Sequence, residues 1–236
     1  MKLSVLVPIY NEERTLAEVV RRVRAFPMTK EIILVDDGSK DRSREILARL
    51  QEEQEQANDP LNQIRVVFQP YNQGKGAALK TALSHVTGDI VLVQDADLEY
   101  DPADYPALLE PIQRGLADVV YGTRFAGGGA HRVLFFWHSM GNRVLTLLSN
   151  MLSNLNLSDM EVGYKVFRAE VLKDLELKSQ RFGFEPEITI KLAKKGCRFY
   201  EVPISYHGRT YEEGKKITWK DGVAALYYMI RFRFVD

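Results

Sequence analysis

The sequence predicts an α/β fold in which a mostly parallel, twisted sheet is flanked by helices, with an amphipathic helix near the C-terminus. Short β-rich runs at residues 3–8, 31–35, 64–68 and 90–93 alternate with stretches whose apolar residues recur at helical spacing. Strands separated by helical crossovers pair in parallel, and helices cover both faces of the sheet. Several strands run out into polar residues. The most abrupt case is Val91-Leu92-Val93-Gln94-Asp95-Ala96-Asp97-Leu98-Glu99-Tyr100, an apolar run ending in two carboxylates one residue apart and a third two residues later. Open α/β sheets bind their ligands at the C-terminal ends of the strands.

In order, residues 3–8 form a first strand, and Leu16, Val19, Val20 and Val23 mark one face of the helix that follows. A second strand ends in Asp36-Asp37-Gly38-Ser39, and Asp41 is placed to cap a helix through about residue 50. The Gln/Glu-rich piece 51–60 reads as a frayed helix end and surface loop. A third strand at 64–68 leads through Asn72-Gln73-Gly74-Lys75-Gly76 into a helix from Ala77, and then comes the strand 90–93. Residues 102–113 suit a helix and 118–121 a further strand running into Gly122-Thr123-Arg124-Phe125. The glycine-rich then aromatic segment 127–137 reads as a mobile loop. Helices are expected at 139–152, 186–194 and from Trp219, and strands at 163–167 and 198–203.

Composition bounds the function. At 236 residues, with 45% hydrophobic and 27% charged residues, the chain is expected to be one catalytic-sized domain over 1–236. The 32 Lys and Arg balance the 32 Asp and Glu, which speaks against a nucleic-acid binder held by global charge. From Arg181 onward, however, 11 basic residues meet 7 acidic ones, a local excess suited to an anionic substrate or a membrane surface. The single cysteine, Cys197, excludes a disulfide framework and a Cys-based zinc site; it reads as a buried, inert thiol in a reducing compartment. The first residues lack a signal peptide's apolar core, and no run approaches the roughly 18 apolar residues of a membrane span. A cytoplasmic location, peripheral on the cytoplasmic membrane face, is expected.

Asp95-Ala96-Asp97 at a strand end can hold a hard divalent cation such as Mg²⁺ or Mn²⁺, which takes oxygen ligands and usually keeps a substrate phosphate in its shell. A solvated turn is the plain alternative. The turn after the first strand, Pro8-Ile9-Tyr10-Asn11-Glu12, has no glycine pattern for a dinucleotide, and Gly74-Lys75-Gly76 lacks the spacing of a P-loop.

The ordered set is more specific than its parts. Pro-Ile-Tyr-Asn-Glu, Asp-Asp-Gly-Ser, Gly-Lys-Gly, Asp-Ala-Asp and Gly-Thr-Arg in this order resemble the family-two glycosyltransferases. Asp159-Met160-Glu161-Val162-Gly163-Tyr164-Lys165-Val166-Phe167-Arg168 and the stretch from Gly208-Arg209-Thr210-Tyr211 to Ile217 are similar to the dolichyl- and polyprenyl-phosphate mannose synthase group. The resemblance covers nearly the whole chain. It implies an A-type glycosyltransferase domain, a nucleotide diphosphate sugar donor carrying a hexose, a divalent metal (Mg²⁺ or Mn²⁺), and a polyprenyl phosphate acceptor. Members of the group continue into membrane spans or bind a membrane-anchoring partner protein, and such a partner is implied here.

The resemblance also implies roles. Pro8, Tyr10 and Glu12 would surround the nucleotide, with Asp37 at the base and Lys75 nearby. Asp95 would face the ribose and the metal, and Asp97 would ligate the metal that bridges the diphosphate. Glu99 stands where relatives carry other polar residues; pointing inward it would join the metal, pointing outward it would be neutral. Arg124 would steady the diphosphate, its alternative being a surface salt bridge. Arg209, Lys215 and Lys216, beside His207 and Tyr211, would hold the acceptor phosphate, with Arg132 in place of an arginine that some relatives put before the helix carrying His138, Ser139 and Asn142. Asp159 and Glu161 have two readings, a base for a hydroxyl acceptor or an orienting group, and Asp159 is the favoured orienting residue. In the last helix Trp219, Val223, Leu226, Tyr227, Ile230 and Phe234 share a near-helical spacing, so residues 217–236 either lie in a membrane interface or pack on the core. A nucleotide-sugar-binding module without turnover is the non-enzymatic alternative.

Overall fold

A computed structural model describes residues 1–57, 59–125, 133, 135–181, 183–209 and 219–235. Among them the sheet has seven strands: β1 (Leu3–Ile9), β2 (Lys30–Asp36), β3 (Asn62–Phe68), β4 (Ile90–Val93), β5 (Val119–Thr123), β6 (Lys165–Arg168) and β7 (Phe199–Pro203). Their order across the sheet is β3-β2-β1-β4-β6-β5-β7. Pairing is parallel except at β6, which runs antiparallel to both β4 and β5.

Burial follows position. Every residue of β2 and β4 is buried and β1 lacks only Pro8, as expected for central strands covered on both faces, whereas β3 and β7 at the edges are mixed. The covering helices are α1 (Leu16–Ala25), α2 (Ser43–Gln56), α3 (Lys75–Leu83), α4 (Tyr105–Gln113), α5 (Phe136–Ser153), α6 (Ala169–Leu172), α7 (Phe184–Lys194) and α8 (Trp219–Phe234). On α1 the four apolar residues at helical spacing, Leu16, Val19, Val20 and Val23, are the ones buried. A 3₁₀ turn, Pro102–Asp104, precedes α4, where Asp101 accepts the Ala103 N–H and Pro102 needs no donor.

At the N-terminal edge of the sheet, away from the strand ends that carry the motifs, two buried ionic side chains in β2 are satisfied structurally. Lys30 donates to the Phe26 carbonyl at 2.6 Å and to Asn62 at 2.8 Å. Glu31 accepts from Lys2 and from the Thr87 backbone and hydroxyl.

Several boundaries differ from the expectation. α2 extends through Gln56, so most of the Gln/Glu-rich piece is helix. Phe136 and Trp137, expected in a mobile loop, already belong to α5; residues 126–132 and 134 lie outside the described part. Cys197 is half-buried rather than buried, and its burial pushes the thiol pKa up. No helix among the described residues is long and apolar enough to cross a membrane.

Candidate active site

The parallel strands end on one edge of the sheet, so the polar stretches after β1, β2, β4, β5 and β7 converge there. The antiparallel β6 is entered from that same edge and adds residues 159–164. Two non-glycine residues at this edge take left-handed backbone angles: Asn11 (φ 53°), whose side chain accepts the Lys40 N–H at 2.8 Å, and Leu98 (φ 60°), between the carboxylates of Asp97 and Glu99. Such conformations cost free energy and persist where surrounding structure imposes them.

At the centre is a carboxylate cluster bridged by one guanidinium. Arg209, delivered by the segment after β7, lies 2.7 Å from Asp97 Oδ2, 3.1 Å from Glu12 Oε2 and 3.4 Å from Glu99 Oε1. Its backbone N–H also donates to Glu99 Oε1 at 2.9 Å, and Glu99 Oε2 accepts the Tyr206 hydroxyl at 3.0 Å. Glu12 is held by Thr15, whose hydroxyl lies 3.2 Å from Glu12 Oε2 and 2.6 Å from the Ala96 carbonyl. Burial, with the Asp95 and Glu99 carboxylates beside it, pushes Asp97 up to about 7, and Arg209 pulls the other way.

Asp95 is held from behind. Lys75, the first residue of α3, reaches its Oδ1 at 2.8 Å and Glu185 of α7 at 3.2 Å. Burial works against the Lys75 charge, but the two carboxylates outweigh it and raise its pKa. Gly163 is required here: a Cβ would sit 2.2 Å from Asp95 Oδ2. Gly74, with φ of 101°, likewise has no room for a side chain, since a Cβ would sit 2.6 Å from the Gln180 carbonyl oxygen.

A second ion pair flanks the cluster. Arg124 meets Asp159 with two bonds of 2.7 Å, and Asn142 of α5 donates to Asp159 Oδ1 at 3.0 Å. Asp159 is fully buried, and its backbone N–H and that of Ser158 donate to Glu201. Tyr206 packs under the Arg124 guanidinium, 5.2 Å from ring centre to Cζ.

The structure therefore brings Glu12, Lys75, Asp95, Asp97, Glu99, Arg124, Asp159 and Arg209 to one edge. Asp37, expected at the nucleotide base, is buried and clamps the loop before α3: it accepts the Gln73 and Gly74 N–H groups at 2.7 Å each and Asn72 at 2.9 Å. Pro8 and Tyr10, at and beyond the end of β1, are half-buried. Glu99, expected to join a metal if it points inward, does point into the cluster, where its oxygens accept from the Tyr206 hydroxyl and the Arg209 N–H. Glu161 is half-buried, with one buried oxygen lacking a partner among the described residues. Lys215, Lys216, Tyr211 and Arg132 lie outside the described residues. Sequence reasoning missed Glu185 and Glu201, carboxylates that touch Lys75 and the Asp159 backbone from α7 and β7.

Among the described residues no three acidic or imidazole side chains converge as a ready metal cage. Mg²⁺ and Mn²⁺ in phosphate sites need only one or two carboxylates, completed by water and substrate oxygens. Asp95 and Asp97, on either side of Ala96 just after the end of β4, supply that number of carboxylates, so the residues fit such an ion.

Residues 4–176 match the model for glycosyl transferase family 2. The chain belongs to that family. This family-two member is 31% identical over 217 residues to the undecaprenyl-phosphate 4-deoxy-4-formamido-L-arabinose transferase of Edwardsiella ictaluri, covering 90% of this chain and 62% of that protein. It is likewise 31% identical over 211 residues to the glycosyltransferase AglJ of Haloferax volcanii, covering 88% and 63%. The chain thus spans somewhat under two thirds of the length of these relatives. Among solved structures, glucosyl-3-phosphoglycerate synthase of Mycobacterium tuberculosis, in complex with Mn²⁺, uridine diphosphate and phosphoglyceric acid, superimposes with a TM-score of 0.74 at 21% identity, covering 100% of this chain and 79% of that one. At that identity the likeness shows the fold, the A-type glycosyltransferase domain that the motifs imply.

Proposed function

We propose that this chain transfers a hexose, mannose or glucose, with inversion, from a nucleotide diphosphate sugar to a polyprenyl phosphate at the cytoplasmic membrane face. The observation that carries the reading is the Arg209 bridge: one residue of the basic segment after β7 lies against the carboxylates expected to organise the donor, 2.7 Å from Asp97. The names of the relatives, which include an undecaprenyl-phosphate transferase, support the acceptor class.

Asp95 and Asp97 would hold a divalent metal that offsets negative charge on the donor diphosphate. Lys75 fixes Asp95 from the protein side. As the bond from the anomeric carbon to the diphosphate breaks, negative charge develops on the leaving group, and cationic groups already in place stabilise it without reorganisation. Arg124, oriented by Asp159 and Asn142, is the side chain suited to that task. An acceptor phosphate is ionised at neutral pH, so its oxygen attacks the anomeric carbon without a strong base; it needs orientation, which Arg209 would give by leaving the carboxylates for the incoming phosphate. Pro8, Tyr10, Glu12 and Asp37 are assigned to the nucleotide side, Asp37 acting through the loop it clamps.

Transfer to a saccharide or lipid hydroxyl would need a base. Asp159 is a poor one, since Arg124 and Asn142 take both its oxygens. Glu161 favours the rival, because burial, then the Glu185 carboxylate, push it up to about 8, within range of a working base. The deciding experiment incubates the protein with Mg²⁺ or Mn²⁺, labelled nucleotide sugars and polyprenyl phosphate. Label is expected in the lipid fraction, and its absence with every common donor would overturn the reading. Transfer to hydroxyl acceptors that Glu161→Gln abolishes would establish the rival.

A further inference from the structure

Helix α5 is apolar on two sides: Leu145, Leu148 and Leu152 pack against the core, and a second apolar set faces outward. Trp137, Met140, Val144, Leu147 and Met151 follow one another at intervals of three and four residues, which places them on one stripe. All five are exposed, Trp137 by 80% and Met151 by 72%. The buried residues of the same helix are Thr146 and Ser149, and Asn142 on that inward side reaches Asp159. A helix whose packing ended at water would carry polar residues on its outer side, and a contiguous apolar face of this kind marks an interaction surface.

Its chemistry selects the partner. α5 contains no Asp or Glu, and its one charged residue, Arg143, is exposed. At its N-terminal end Phe135 and Phe136 join Trp137 in an exposed aromatic group, and tryptophan is a residue type that settles at a bilayer's headgroup level. α8, which packs against α5, exposes Tyr227, Ile230 and Phe234 beside Arg231 and Arg233. Apolar stripes with aromatics and cations, free of carboxylates along α5, complement an anionic lipid surface. A symmetric pair of copies would instead set the like-charged arginines of this face against one another.

We propose that the outward face of α5 is a membrane-docking surface for an anionic bilayer, so that one helix meets the lipid with one side and braces the Arg124–Asp159 pair with the other. The inference deepens the acceptor reading and rests on it for the purpose of docking, whereas the surface itself needs no acceptor.

The test uses vesicles of phosphatidylcholine with or without phosphatidylglycerol and without any polyprenyl phosphate. The protein is expected to cosediment with the anionic vesicles and to shift its tryptophan emission to the blue, and Trp137→Phe should remove most of that shift. A Leu147→Glu, Met151→Glu double variant, altered only at exposed positions, should lose binding by about tenfold or more while melting as the parent does and glycosylating a short, water-soluble polyprenyl phosphate at the parent rate. Arg143→Glu should weaken binding to the anionic vesicles selectively. The proposal is overturned if the parent does not sediment, if the double variant binds equally well, or if the face proves to hold a second copy in a dimer that the double variant dissociates. Vesicle binding without sugar transfer to any polyprenyl phosphate would instead refute the acceptor reading and leave the surface standing.

Discussion

The roles of single residues separate by what each would lose. Burial, then the Asp95 and Glu99 carboxylates, disfavour the ionised form of Asp97, so Asp97→Asn relieves that cost while removing the proposed ligand for the metal. Turnover should fall by at least about a hundredfold with the melting temperature unchanged or raised; a collapse of the melting transition would mean that Asp97 serves the fold. Arg209→Ala removes no group assigned to the donor, although it takes the counter-charge from Asp97 and Glu12, so the larger expected effect is a rise in KM for the polyprenyl phosphate on the order of ten- to a hundredfold, as for a lost charge-assisted contact. Calorimetry with a nucleoside diphosphate and metal separates the two. Equal loss of donor binding in both variants would contradict this division of labour. Glu185→Gln tests a residue that no motif pointed to: it weakens the support of Lys75 and should cost roughly 1–3 kcal/mol of stability, with a higher donor KM because Asp95 is then held from one side less.

At the level of elements, what was legible in the sequence was local. The strand 90–93 ends where apolar residues give way to Asp95-Ala96-Asp97, and the structure ends β4 at Val93. The motif-bearing turns are legible for the same reason, since each breaks a hydrophobic run. Direction and partner choice are not local. The pattern of residues 163–167 reads the same for a strand running either way, and only the fold shows β6 inserted antiparallel between β4 and β5. An acid in the first turn of a helix, such as Glu185, ordinarily reads as a partner for the helix dipole, so its reach to Lys75 left no trace in the sequence. In α8 periodicity marks a stripe but not the side it faces: Leu226, Tyr227, Ile230 and Phe234 are exposed, and a different set, Ala225, Met229 and Phe232, packs inward. The entry into β6 gives a sharp test of element placement. Gly163→Ala would drive a Cβ to 2.2 Å from Asp95 Oδ2 and 2.7 Å from Tyr100, forcing the carboxylate away from Lys75. Activity should drop severely, with a stability loss of about 1–3 kcal/mol, and an alanine variant with parental activity would show that the segment shifts freely.

Over the whole molecule, stability should carry the imprint of buried charge behind the site. Burial, then the Glu185 carboxylate, push Glu161 up to about 8 from its ordinary 4.5, and burial lowers Lys165 from 10.5 to about 8. Between pH 4.5 and 8 the folded protein keeps a proton on Glu161 that the unfolded chain has released. It binds more protons than the unfolded state there, so stability falls as pH rises through this window. Between pH 8 and 10.5 the unfolded chain keeps a proton that folded Lys165 has lost, and stability recovers as pH rises. The two limbs place a shallow minimum near pH 8 in what these groups contribute. Glu161→Gln cannot ionise, which removes the first limb and should stabilise the protein near pH 8 by an amount on the order of a few kcal/mol relative to its advantage near pH 5. Urea unfolding from pH 5 to 9 measures this directly. Parallel stability curves for parent and variant would mean that Glu161 ionises at its ordinary pH, and a base near neutrality for hydroxyl transfer would then be lost to the rival reading as well.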